Sequence, residues 1–102
     1  MLNLPLEYSC LDSNIRHPGH AQNGSEGGLK VYLPGQFKVG ENLRMKLFFP
    51  LGSELQTIES TTQVVSVDFR PEEKENQYGV EFLDISSEGS EKWKRFLKYM
   101  NP

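Results

Sequence analysis

The chain holds a single cysteine, Cys10, so no disulfide can close within it. Stability must come from packing rather than from a covalent staple. No apolar run approaches the ~18 residues that a helical membrane span requires. The opening Met-Leu-Asn-Leu-Pro-Leu-Glu lacks the basic start and apolar stretch of a secretory signal, which fits the cytoplasm. A basic excess is absent too. Fourteen acidic residues against 11 basic ones give a formal net charge of -3, so bulk charge offers nucleic acid no long-range attraction. Catalytic signatures are equally scarce. There is no Gly-x-x-x-x-Gly-Lys phosphate loop, no Gly-x-Ser-x-Gly elbow and no His-Glu-x-x-His pair. Neither internal repeats nor low-complexity tracts occur.

What remains describes an ordinary folded chain. At 102 residues, 36% hydrophobic and 25% charged, it has the size and composition of one domain with one modest core. That domain spans residues 1–102, with its core at about 5–100.

Alternation of apolar and polar residues marks the strands. Leu6, Tyr8 and Cys10 alternate with Glu7 and Ser9, predicting a strand over Pro5 to Asp12. The stretch Ser13 to Gly28 is polar, without clear period, and has room for a short strand near His20 to Gln22. Leu29, Val31 and Leu33 face one way in the next strand, which stops at the turn signal Pro34-Gly35. A second turn signal, Val39 to Asn42, precedes the cleanest strand. There Leu43, Met45, Leu47 and Phe49 point inward, Arg44 and Lys46 point outward, and Pro50 ends the run. Pro50 to Ser53 predicts a hairpin. Leu55 to Phe69 is rich in Thr, Val and Ile, which suit strands, and is long enough to bend or split near Glu59-Ser60. Pro71 to Asn76 reads as a charged loop, followed by a last strand, Tyr78 to Phe82.

The period then changes. Trp93, Phe96, Leu97 and Met100 fall at i, i+3, i+4 and i+7, one face of a helix. Ser86 and Ser87 are candidate N-caps. Glu88 and Glu91 sit toward the positive end of the helix dipole, and Lys92, Lys94, Arg95 and Lys98 toward the negative end. Gly89 is a weak point in the first turn. Many short strands followed by one helix predict a mostly β fold: a small antiparallel barrel or sandwich with Trp93 and Phe96 packed on it.

Candidate chemistry is sparse. Cys10, His17 and His20 could be assembled into a metal or nucleophile site. The plainer reading has Cys10 packed as a small apolar residue and both histidines on a wet loop around Pro18-Gly19. Asn23-Gly24-Ser25-Glu26-Gly27-Gly28 stands out more. It reads as a tight Asn-Gly turn or as a ligand loop. In the second reading Asn23 and Ser25 supply donors and acceptors, while Gly27 and Gly28 let a flat ligand approach the backbone.

In its surroundings this loop resembles the Asp/Asn-x-Ser-x-x-Gly signature of PilZ domains, matched here by Asn23, Ser25 and Gly28. The similarity continues through Gly-Gly-Leu, the Pro-Gly turn, Val-Gly-Glu-Asn-Leu, the strand ending at Pro50, Gln63-Val64-Val65, Tyr78-Gly79-Val80-Glu81-Phe82 and the closing helix. It covers roughly Pro5 to Met100. The resemblance implies a six-stranded antiparallel barrel with a C-terminal helix, bacterial and not an enzyme. It further implies a receptor for cyclic di-GMP that acts through an effector protein on motility, exopolysaccharide production or biofilm control. Asn23 and Ser25 would then contact guanine or nearby ligand atoms, and Gly28 would leave room for the base.

The sequence departs from the family at one point. Ligand-binding members carry an Arg-x-x-x-Arg motif ahead of the first strand, and Met1 to Pro5 contains no arginine. Arg16, followed by His20, has the wrong location and the wrong second residue. Arg16, Lys30 and Arg44 are the candidate phosphate contacts, with Lys46 beside Arg44; alternatively the strand cations form a solvated face. The leading reading is a cyclic di-GMP signalling module of weakened affinity. The alternative is an adaptor of the same fold that binds protein and no nucleotide. A single-stranded nucleic acid binder would want a basic groove with interleaved aromatics, and nothing here advertises one.

Overall fold

The computed structural model describes residues 3–69 and 76–100. The charged segment predicted over Pro71 to Asn76 lies outside the described residues except for Asn76, which begins the last strand. Six strands run in chain order: β1 (Leu4–Cys10), β2 (His17–Ser25), β3 (Gly28–Leu33), β4 (Asn42–Leu51), β5 (Glu54–Asp68) and β6 (Asn76–Ile85), followed by helix α1 (Ser87–Met100). They close into an antiparallel barrel in the order β1-β2-β3-β6-β5-β4. Closure gives each described strand a neighbour on both sides, which removes most of the edge that could recruit another chain.

The alternating residues fill the interior. Leu6, Tyr8, Val31, Leu33, Leu43, Met45, Leu47, Phe49, Val64 and Val80 are all buried. Thr62, also fully buried, satisfies its hydroxyl by donating to the Leu43 carbonyl at 3.1 Å.

Several elements differ from the sequence reading. Strand β2 occupies nine residues of the stretch read as mostly patternless. Its inward positions are small because neighbouring side chains already fill the space. A Cβ on Gly19 would lie 2.7 Å from a Leu33 methyl, and one on Gly24 would lie 2.5 Å from the Trp93 ring. Alternation therefore vanishes although the strand is real. Pro18 lies within β2 rather than in a turn. It pairs with Glu7 of β1, while β3 pairs with β2 only from His20 onward. On the β3 side no ladder partner requires an N–H from Pro18. Gln22 is an extra residue at the bulge in the β2–β3 register.

Cys10 is exposed, not packed inward. It lies beyond Tyr8↔His17, the last β1–β2 pair, so β2 does not pair with it. Pro50 does not end β4, which continues to Leu51. The β4–β5 hairpin turns at Gly52-Ser53, with Gly52 at φ 67°, a conformation that favours glycine. Strand β5 is unbroken at Glu59-Ser60. Its irregularities against β6 are bulges at Val65 and, on β6, at Leu83, and both residues are exposed.

Helix α1 begins as expected. The Ser86 hydroxyl accepts from the Gly89 amide at 2.9 Å, which makes Ser86 the N-cap. Gly89 is buried, and a Cβ there would come within 3.4 Å of Ile58 and Ile85. Those are ordinary contact distances; the tight one, 3.0 Å, is to the capping Ser86 hydroxyl. Trp93 and Phe96 are buried and Leu97 is half-buried against the core, whereas Met100, read as part of the same face, is exposed. The Trp93 ring stacks on Phe96 at 5.6 Å and meets Phe49 and Phe82 edge-on. The helix therefore caps the barrel through an aromatic cluster.

Candidate functional site

The tight turn lies three residues later than Asn-Gly suggests. Ser25 pairs with Gly28, so the hairpin loop is Glu26-Gly27, and Asn23 and Gly24 belong to β2. Beside this hairpin an open groove of about 680 Å³ runs along the barrel surface. One wall is Asn23, Gly24 and Ser25 with Gly27 of the turn. Gly28 to Lys30 of β3 and Gly79 to Phe82 of β6 form the rest, with Val65 at the β5 bulge. All four residues of the candidate ligand loop therefore line one surface: Asn23, Ser25, Gly27 and Gly28.

The glycines have different reasons to be there. A Cβ on Gly28 would fall 2.2 Å from the Val80 carbonyl oxygen, and one on Gly79 would fall 2.4 Å from the Ser66 hydroxyl. Gly28 is therefore demanded by the close β3–β6 approach, independently of any ligand. A Cβ on Gly27 would meet nothing within 4 Å, and Gly27 does not have positive φ. The fold does not require glycine at that position.

The groove wall is braced from beneath. The Trp93 indole N–H donates to the Ser25 carbonyl at 2.7 Å, and Gly24 rests on the same ring. The Phe82 amide donates to the Gly27 carbonyl at 2.9 Å, tying the turn to β6. This leaves the Asn23 and Ser25 side chains exposed on a backbone fixed on both sides. Sequence reasoning singled out the loop but missed Gly79, Glu81 and Phe82 as groove residues. It also missed the Trp93 brace, because nothing in the sequence relates residues this far apart.

Lys30 and Glu81 are the charged residues of the described groove lining. They are diagonal neighbours across the β3–β6 pair, since Gly28 faces Glu81 and Lys30 faces Gly79. Arg16 and Arg44 lie elsewhere, in a small cleft on β1, β4 and β5 with Glu7, Lys46 and Glu59. There Arg16 pairs with Glu7 at 3.3 Å. Of the three cations named from the sequence, Lys30 lines the groove and the other two do not.

Among the described residues no group of three His, Cys, Asp or Glu side chains is placed to hold a metal ion. His17 and His20 are on β2 rather than on a loop. The His17 ring contacts Tyr8 at 5.4 Å, and His20 stacks on Tyr32 at 5.0 Å. No described helix is long and apolar enough to cross a membrane.

A six-stranded closed barrel capped by one helix, with an open groove beside the β2–β3 turn, defines the structural class. Comparison with known proteins gives the family. The PilZ domain model matches residues 2–99, and the chain belongs to the PilZ domain family. The inhibitor of motility MotI/DgrA of Bacillus subtilis superposes with a TM-score of 0.79 at 19% identity, over 98% of this chain and 48% of that one. The PilZ domain of YcgR from Escherichia coli, solved with c-di-GMP, superposes with a TM-score of 0.72 at 14% identity, over 97% of this chain and 82% of that one. This chain thus spans about half the length of MotI/DgrA. No curated protein matches the sequence significantly.

Proposed function

We propose that this chain is a non-catalytic signalling module that receives cyclic di-GMP in the β2–β3–β6 groove and passes its state to a partner protein in the bacterial cytoplasm. The observation that carries the reading is convergence. Asn23, Ser25 and Gly28, the residues of the family signature, all line one open groove, and the related PilZ domain of YcgR was solved with this ligand. Asn23 and Ser25 offer exposed hydrogen-bonding groups to a base edge. Lys30 offers a point charge to a phosphate. Motility or biofilm control is the expected output.

A second reading is favoured by the charge of the groove. Its described lining carries one cation, Lys30, opposed by Glu81, and Arg16 and Arg44 face elsewhere. Under this reading the chain is an adaptor that binds protein and not nucleotide. Calorimetric titration with cyclic di-GMP separates the two. The receptor reading expects weak, saturable heat that Asn23→Ala and Ser25→Ala each abolish. Both side chains are exposed, so neither change should alter stability by more than ~0.5 kcal/mol. Heat unaffected by both substitutions would place the ligand elsewhere, and no heat at millimolar nucleotide would favour the adaptor.

A further inference from the structure

A second concavity, about 430 Å³, lies between the β4–β5 hairpin and the last turns of α1, lined by Leu51, Gly52, Arg95, Lys98 and Tyr99. Its composition is unusual for this chain. It contains two cations and no carboxylate, in a protein of net charge -3. Lys92 pairs with Glu88 on the same helix at 3.3 Å, and Arg16 pairs with Glu7. Among the described residues neither Arg95 nor Lys98 has an ion pair within 4 Å. The hairpin's own carboxylate, Glu54, is held by the Gln56 side-chain amide at 3.1 Å.

Part of the apolar lining is exposed as well. Tyr99 is 74% exposed and Leu55, beside the hairpin turn, is 68% exposed, while Leu51 is half-buried at the cleft. The negative end of the helix dipole accounts for cations in the last turns of α1. It does not account for the Tyr99 ring left exposed beside them.

We propose that this cleft docks an acidic segment of a partner protein, in which one apolar or aromatic side chain is flanked by carboxylates. The anchor would sit against Leu51 and Tyr99, and the carboxylates would meet Arg95 and Lys98. The Arg95 guanidinium can take a carboxylate with two parallel N–H donors. A bilayer or a duplex is an extended anionic surface, whereas the two cations here sit together in one compact cleft. The inference rests on the partner-coupling reading above and names the surface that reading leaves open. The same helix carries Trp93, which braces the groove wall, so one rigid element touches both surfaces.

The test is a ¹⁵N chemical-shift titration of the chain with an amidated peptide, Glu-Asp-Leu-Trp-Asp-Glu, and with its analogue bearing lysine for each carboxylate. The acidic peptide should shift the amides of Gly52, Arg95, Lys98 and Tyr99 saturably, and the lysine analogue should not. The double variant Arg95→Glu, Lys98→Glu should bind the acidic peptide roughly tenfold more weakly, the combined effect of two exposed ion pairs. It should gain the lysine analogue in exchange. Both side chains are exposed, so the urea midpoint checks that the variant folds. The proposal is overturned by the absence of saturable shifts, by shifts indifferent to charge reversal, or by shifts produced only by phosphatidylglycerol vesicles. Cyclic di-GMP is followed separately at Gly24 and Ser25, so the receptor reading and the docking surface can fail independently.

Discussion

Two glycines three residues apart in the same signature should respond to the same substitution with opposite signs. A Cβ on Gly24 would lie 2.5 Å from Trp93 Cζ2, 3.0 Å from Cη2 and 3.2 Å from a Leu29 methyl. The indole has little freedom to retreat. It is 1% exposed, enclosed by Phe49, Phe82 and Phe96, and bonded to the Ser25 carbonyl. Forcing a methyl into such a core costs ~1–3 kcal/mol. If the indole moves, the hydrogen bond to Ser25 goes with it, a further ~0.5–1.5 kcal/mol. Removing a glycine from a strand returns ~0.5–1 kcal/mol. Gly24→Ala should therefore destabilise by about 2 kcal/mol, which at a urea m-value of ~1–3 kcal/mol/M lowers the midpoint by about 1 M. Gly27→Ala meets nothing within 4 Å and should be neutral, or stabilising by ~0.4–1 kcal/mol through the unfolded chain. Trp93 is the only tryptophan, so its emission follows helix docking during the same melt. A Gly24→Ala variant as stable as the parent, or a Gly27→Ala variant that loses more than it gains, would refute the packing argument.

Phe96→Ala removes the ring stacked on Trp93 and tilted against Phe49 and should cost ~3–5 kcal/mol. An unchanged urea midpoint would mean that the helix does not dock. Ser86→Ala removes the acceptor for the Gly89 amide and should cost ~1 kcal/mol, read as a melting temperature lower by ~4–8 °C.

Strands were legible where the interior is filled from the strand itself. In β3 and β4 every second residue is a large apolar side chain, buried in every case but the last, Leu51, which is half-buried. Strand β2 was nearly illegible for the opposite reason. Its interior volume belongs to Leu33, Leu6 and Trp93, so Gly19, Ala21 and Gly24 carry no apolar signal. The helix face read correctly at Trp93 and Phe96 and failed at Met100, because the periodicity continues past the point where α1 leaves the barrel. The bulges at Gln22, Val65 and Leu83 depend on pairing partners far along the chain. For the candidate site the loop was visible as a motif. The β6 wall and the indole beneath it were not, since they come from residues about 55 to 70 positions later.

Electrostatics fixes how strongly this groove can hold a dianionic ligand. Among the described residues of the lining, Lys30 is the cation and Glu81 lies beside it, so no described guanidinium fork would meet the phosphates of such a ligand. Charge-assisted hydrogen bonds are worth ~1.5–3 kcal/mol net, so two absent arginine contacts cost roughly 3–6 kcal/mol. At ~1.4 kcal/mol per decade that is about two to four orders of magnitude in affinity. Topology says where such contacts could be restored. Strand β1 starts with Leu4 opposite Ala21, two residues before Asn23, so a leader entering β1 arrives beside the Asn23 end of the groove. An Arg-x-x-x-Arg leader placed ahead of Leu4 should raise cyclic di-GMP affinity by at least ~100-fold and make binding steeply salt-dependent. Replacing both arginines with glutamine should return it to the parent value. A leader that improves nothing, in a chain whose urea midpoint is unchanged, would show that the groove's shape rather than its charge excludes the nucleotide, and the adaptor reading would then stand.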